Sequence, residues 1–187
     1  MHPRAEVGRE RRRSTQIRKS FQGGLDKGPE THRKLKDFFI ACGDYMVWSM
    51  ERLHDQDQWI CDLLKERVPK SDPIWESLRK LDDRQAKSKA ATDKFEWGLK
   101  KYKSGEPVEP FVAAAREFCN MFGTLLQSRK NPFEPYTAKL FTDADWAKVA
   151  GVTEKSLAEE KDMFGMVRSL APEGCDPEGF TVEYKPN

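Results

Sequence analysis

The chain has 187 residues, 33 Lys and Arg against 31 Asp and Glu, and a net charge of +2; that length suits a single domain with tails and can bury a sizeable core. Hydrophobic residues make up 37% and charged residues 34%, and no run of about 18 apolar residues occurs, which excludes a membrane-spanning helix. The basic N-terminus leads into no apolar stretch, so a secretory signal is not expected.

The four cysteines (Cys42, Cys61, Cys119, Cys175) form no CxxC pair. That argues against a disulfide scaffold or zinc finger and for a reducing, cytoplasmic setting. The three histidines are His2, His32 and His54, too few for a centre built on four or five imidazoles.

Residues 1–36 carry eleven basic and four acidic side chains, a surplus of seven; the remaining residues carry 22 basic and 27 acidic, a deficit of five. Residues 1–30 read as a flexible basic arm, because Gly23-Gly24 and Gly28-Pro29 interrupt a stretch without clear apolar periodicity. Such an arm can contact phosphates, so nucleic acid is a candidate partner, although it lacks the aromatic interleaving that base stacking wants. Removing residues 1–28 is expected to leave the body folded.

The body, 31–170, reads as helical. Leu35, Phe39, Cys42, Met46, Met50, Leu53, Ile60 and Leu64 recur at steps of three, four and seven. Their phase passes Gly43 without a slip, so one long helix or two separated at Gly43-Asp44 both fit, with Pro69 as the stop. Asp72-Pro73 opens the next helix, with Ile74, Leu78, Leu81, Phe95, Leu99 and Tyr102 on one face and Gly105 as terminator. Pro110 opens a third, with Val112, Ala115, Phe118, Cys119, Phe122 and Leu126 inward, closed by Asn131-Pro132. Thr142 and Asp145 form a capping box for a helix ending at Gly151. A last helix follows Thr153, with Leu157, Phe164, Val167 and Leu170 inward. Residues 171–187 read as an irregular tail with one extended run, Phe180 to Tyr184. The fold class is all-α, most simply an antiparallel four-helix bundle with extra C-terminal helices.

The inward stripe of the second helix turns polar in its middle, at Gln85, Ser88 and Thr92, and Asp57 lies between inward Leu53 and Ile60 on the first. Run antiparallel, these helices bring Asp57 and Gln85 to one level. Buried polar groups need partners, so a polar core layer of Asp57, Gln85, Ser88 and Thr92 is expected.

Several stretches carry a family resemblance. Leu53-His54-Asp55-Gln56-Asp57-Gln58 followed by Leu63-Leu64-Lys65-Glu66-Arg67-Val68-Pro69 resembles the second helix of hemerythrin-like (HHE cation-binding) proteins. Leu78 to Gln85 is similar to the third helix. Ala113 to Phe118, continuing to Leu140-Phe141-Thr142-Asp143-Ala144-Asp145-Trp146, resembles the fourth helix and the turn after it. The resemblance spans roughly residues 31–150 and implies a four-helix bundle enclosing a di-iron site of histidines and carboxylates. The ligand positions it implies fall on Leu53, Asp57, Gln85, Leu125 and Arg129 or Lys130, with His32 as the one match to a first-helix histidine. The chain therefore reads as a degenerate member without a cofactor, acting as a binding or regulatory module.

Iron remains the alternative cofactor, with His32, His54 and Asp57 as its candidate ligands. His54 is offset by one residue from the implied ligand position and points to the rim of the core. Cys119 reads as a buried, inert thiol and Cys175 as the exposed one. No phosphate-binding glycine loop or nucleophile elbow occurs. Trp48 and Trp97 flank the apolar stripe and suggest a face for an unknown protein partner or a homodimer, so an accessory subunit docking through its Trp-bearing helices and basic arm is a further alternative.

Overall fold

A computed structural model describes residues 2–126 and 131–181. It is all-helical, with no strand among the described residues. The helices are α1 (Pro3–Leu25), α2 (Pro29–His32), α3 (Lys36–Arg67), α4 (Ile74–Lys103), α5 (Val108–Leu126), α6 (Glu134–Leu140), α7 (Asp143–Ala150) and α8 (Glu154–Leu170), with short 3-10 turns at Arg33–Leu35 and Pro177–Gly179. Among the described residues no helix is long and apolar enough to cross a membrane.

The expectation of a flexible arm is corrected. Residues 3–25 form a helix that starts with proline in its first turn, where the missing N–H costs nothing. Ile17, Phe21 and Leu25 recur every fourth residue and are fully buried. Glu6, Glu10 and Ser14 continue that face toward the N-terminus and are buried as well. Polar residues in the inward phase hid the periodicity. Part of the arm's positive charge is neutralised within the molecule: Arg4 pairs with Glu134, Arg11 with Asp57, and Arg9 and Arg13 with Glu160. A basic segment has docked on an acidic body.

Gly24 lies inside α1, where a Cβ would sit 2.6 Å from Phe38 Cε1. It is there for close approach and breaks nothing. Gly43 has the same role in α3, which runs unbroken from Lys36 to Arg67. A Cβ at Gly43 would lie 2.9 Å from both Leu99 methyl carbons, so this glycine lets α3 and α4 approach closely.

The four long helices pack pairwise in a closed circuit, α1 on α3, α3 on α4, α4 on α5 and α5 on α1. Each pair is antiparallel. Along α3 and α4, Lys103 meets Asp44, Ser88 meets His54 and Lys65 meets Asp82. Between α1 and α3, Ser14 meets Ser49 and Arg11 meets Asp57. Phe95 stacks on Phe118 and Tyr102 on Phe111 between α4 and α5, and Arg116 of α5 reaches Leu25 O and Asp26 at the end of α1.

Two hydrophobic clusters fill this framework. One gathers Ile17, Phe21, Phe39, Met46, Phe95, Phe118 and Phe122 near one end. The other gathers Ile60, Leu64, Leu78, Leu81, Trp146 and Val149 near the other. Each fully buried large side chain is worth about 1.5–3 kcal/mol before ordering costs.

α6 and α7 cap the second cluster, whereas Phe164 and Val167 of α8 join the first. The capping box of α7 is present, with Thr142 accepting from Asp145 N and Asp145 accepting from Thr142 N, and Gly151 closes the helix at φ 52°. Arg67 clasps the Asp145 carboxylate at 2.6 and 2.8 Å and holds that carboxyl well below its usual range. Asp72 Oδ1 accepts from Ile74 N at 2.9 Å at the start of α4, as a capping residue does, and from Tyr136 OH at 2.6 Å.

The tail is not loose up to Thr181. Ser20 Oγ donates to Cys175 O at 2.5 Å, Gln16 to Phe180 O at 3.3 Å and Lys19 to Thr181 O at 3.1 Å. Cys175, expected to be the exposed thiol, is buried against α1. Most of the extended run expected from Phe180 to Tyr184 lies outside the described residues.

Candidate functional site

Between the two hydrophobic clusters a polar belt crosses the helices. On α1 it comprises Glu10 and Ser14, on α3 Arg52, His54 and Gln56, and on α4 Ser88 and Thr92. Of the four residues expected to form one layer, Ser88 and Thr92 stand in this belt, while Asp57 and Gln85 do not pair with each other. Asp57 is half-buried and bonds Arg11 Nη2 at 2.8 Å. Gln85 is also half-buried and donates to the backbone oxygen of His54 at 3.4 Å. Ser88 and Thr92 are buried.

The residue that enters this layer is His54, which helix phase alone places at the rim. Its Nε2 lies 2.7 Å from Ser88 Oγ. With the Ser88 proton directed to Gln85 O at 3.0 Å, Nε2–H donates to the serine. Burial lowers the His54 pKa below 6.5, although Asp57 and Asp55 oppose that.

His32 is buried elsewhere. Its Nε2 donates to Leu25 O at 2.8 Å, and its ring packs edge-on against Phe39. It closes the last turn of α1. About 27 Å of helix separates the start of α3 from His54 at 1.5 Å per residue, so His32 is far from His54 and Asp57.

These residues do not fit an iron cage. The implied ligand positions carry buried Leu53, an Asp57 engaged by Arg11, a Gln85 engaged by backbone, and Leu125 packed on the core. Arg129 and Lys130 lie outside the described residues. Among the described residues no group of three or more His, Cys, Asp or Glu converges as metal ligands.

The densest buried chemistry lies where α1, α3 and α8 meet. Glu160 of α8 is only 2% exposed. Its Oε1 accepts from Tyr45 OH at 3.0 Å; its Oε2 accepts from Arg9 Nη1 at 3.0 Å and from Arg13 Nη1. Arg9 also donates to Glu6 Oε1 through Nε at 2.6 Å and through Nη2. Burial alone would lower the Arg9 pKa; the Glu6 and Glu160 carboxylates outweigh it and raise it. Burial, reinforced by Glu160, pushes the Tyr45 phenol well above its usual value.

Arg13 lies over the Phe164 ring at 4.7 Å. One turn away, Glu10 accepts from Arg52 at 2.9 Å and Gln56 at 2.5 Å, and burial still raises its pKa. Arg52 also reaches Ala150 O and, at 3.1 Å, Gly151 O, a cation on the negative end of α7.

Beside this cluster α1, α7 and α8 enclose a cleft of about 600 Å³. Glu6, Arg9, Arg13 and Glu160 form its charged side, Ala147, Ala150, Val152 and Leu157 its apolar wall, and Lys161 contributes a further cation. Sequence reasoning passed over this site. One signal was available: Glu160 falls in one phase of α8 with buried Phe164 and Val167, whereas Leu157, expected inward in that phase, is exposed at the cleft.

The thiols offer little chemistry. All four cysteines are free and buried, and burial pushes Cys61 and Cys119 up to about 12, so neither forms a thiolate near neutrality. No family model, curated protein or solved structure matches the chain.

Proposed function

We propose that the chain is a non-catalytic binding module, built on an antiparallel four-helix bundle of α1, α3, α4 and α5, whose site is the cleft that α7 and α8 complete against α1. The carrying observation is convergence: the ionisable side chains of Glu6, Arg9, Arg13, Glu160 and Lys161 and the aliphatic ones of Ala147, Ala150, Val152 and Leu157 line one cleft of about 600 Å³. A concave, mostly apolar space with a few fixed polar groups is the usual form of a small-molecule site. The Glu160 carboxylate is saturated by Tyr45, Arg9 and Arg13, which suits holding a shape better than exchanging protons.

The test is a fragment screen by protein-observed NMR on the full chain, repeated on Leu157→Trp. Leu157 is 38% exposed, so the indole can fill the cleft mouth without entering the core. Hits that shift α1, α7 and α8 resonances and vanish in the variant support the reading. Hits unaffected by the variant, or none at all, overturn it.

A second reading is a degenerate hemerythrin-like protein. It is supported by the closed circuit in which α1, α3, α4 and α5 follow one another in chain order, with α1 standing where the resemblance needs a first helix. Elemental analysis after growth in iron-rich medium tests it: about two irons per chain would overturn the loss of the site.

A further inference from the structure

We infer that the α1/α7/α8 cleft takes an aliphatic monocarboxylate, its chain on the apolar wall and its carboxylate at Arg13 and Lys161. The inference rests on the cleft being a binding site, as proposed above, and adds the ligand class.

Three observations carry it. The first is charge. Arg9, Arg13 and Lys161 face the cleft with Glu6 and Glu160, three cations against two anions, so the lining holds one positive charge over. A monoanion neutralises it, whereas a phosphate dianion would overshoot.

The second is the donor balance. All three Arg9 nitrogens and both Glu160 oxygens are engaged within the protein. Arg13 spends only Nη1 on a described partner, and Lys161 makes no described ion pair and is exposed. Beside Glu6 Oε2, an acceptor with no described partner, the unspent groups are N–H donors, including the remaining edge of a guanidinium. That planar fork matches a carboxylate. Phe164 lies against Arg13 and restricts how the fork can turn.

The third is the wall. Ala147, Ala150, Val152 and Leu157 are small or branched and aliphatic, and no aromatic ring is among the cleft-lining residues. Such a wall covers a flexible alkyl chain and offers no stacking surface for a flat heterocycle. Leu157, left 38% exposed at this wall, gains burial when a chain lies on it.

The experiment is a titration of the full-length protein with octanoate, followed by calorimetry and by NMR shifts of α1, α7 and α8, with octylamine and octanol as controls. Octanoate is expected to bind with a Kd on the order of 0.1 mM, and octylamine and octanol at least about tenfold more weakly, tenfold being 1.4 kcal/mol. Lys161→Glu, at an exposed position, should weaken octanoate by about tenfold or more. Arg13→Lys, which keeps a cation beside Glu160 but loses the fork, should also weaken it.

Octylamine or octanol binding as tightly as octanoate would overturn the anion assignment, as would full affinity in Lys161→Glu. Octanoate without effect, while fragments still occupy the cleft and are displaced by Leu157→Trp, would overturn the ligand class and leave the binding reading standing. Silence from octanoate and from the fragments together would overturn both.

Discussion

The Tyr45 hydroxyl donates to Glu160 Oε1 at 3.0 Å and so ties α3 to α8 inside the molecule. Glu160 is one carboxylate held by three donors from two other helices, α1 and α3. Its removal leaves Arg13 partly buried without its acceptor and Arg9 with Glu6 alone, whereas removal of the phenol leaves Glu160 two cations. Glu160→Ala should therefore cost about 3–5 kcal/mol, and Tyr45→Phe only about 1–2 kcal/mol. Urea denaturation of the two variants measures both. Equal losses would show that the arginines do not depend on Glu160.

Deleting residues 1–28 should unfold the protein. Ile17, Phe21 and Leu25 are fully buried in the main cluster, and losing three such side chains removes about 5–9 kcal/mol of burial, comparable to the whole stability of a domain. The truncated chain is expected to lose its cooperative circular-dichroism melt. A melt like that of the intact protein would mean that α1 contributes no packing.

Asp57 should couple to Arg11 and not to Gln85. A double-mutant cycle on Arg11 and Asp57, partly exposed and 2.8 Å apart, should give a coupling of about 0.5–1 kcal/mol. Asp57→Leu and Gln85→Leu should add within about 0.3–0.5 kcal/mol. Strong coupling between the last two would restore the pairing expected from helix phase alone.

His54 should make stability depend on acidity near neutrality. Its pKa is lowered in the folded state from 6.5 because burial disfavours the imidazolium. The unfolded chain therefore takes up the proton first. The contribution is complete above 6.5 and is lost as pH falls below that value toward the lower folded pKa. Glu10 acts in the opposite sense, since its raised pKa adds stability as pH falls. Comparing the intact protein with His54→Gln from pH 7.5 to 5 isolates the histidine, and the variant should have the shallower decline with acid. Parallel curves would remove His54 as the cause.

Glycine replacements should report helix approach. Gly24→Ala drives a methyl to 2.6 Å from a buried Phe38 ring carbon, and Gly43→Ala drives one to 2.9 Å from two Leu99 methyls. Overpacking of this kind costs about 1–3 kcal/mol, against a gain of about 1 kcal/mol in helix propensity. Gly24→Ala should be the more destabilising, because a ring yields less than a leucine tip. A thermal melt of each variant decides it, and a stabilised Gly24→Ala would contradict the packing described.

Much of the helical content was legible because it rests on local chemistry. The steps of three and four from Leu35 to Leu64 mark α3, and the Asp72-Pro73 start, the Gly105 stop and the Thr142–Asp145 box mark ends whose backbone groups neighbouring residues satisfy. The polar middle of α3 and α4 was visible at Ser88 and Thr92 for the same reason. What α1 does was not legible, since Glu6, Glu10 and Ser14 interrupt its apolar face, and the partners of the last two, Arg52 and Ser49, can be recognised only after the helices have met. Helix phase alone paired Asp57 with Gln85, but Asp57 lies beside α1 and meets Arg11, leaving His54 to face Ser88. The cleft is likewise a product of assembly. Its charged side comes from α1 and α8, some 150 residues apart in sequence, and a buried charge is tolerable only where distant segments bring the opposite charge to it. Sequence settles the ends and apolar stripes of α3, α4 and α7; only the tertiary structure decides which charges are neutralised and which donors are left to bind.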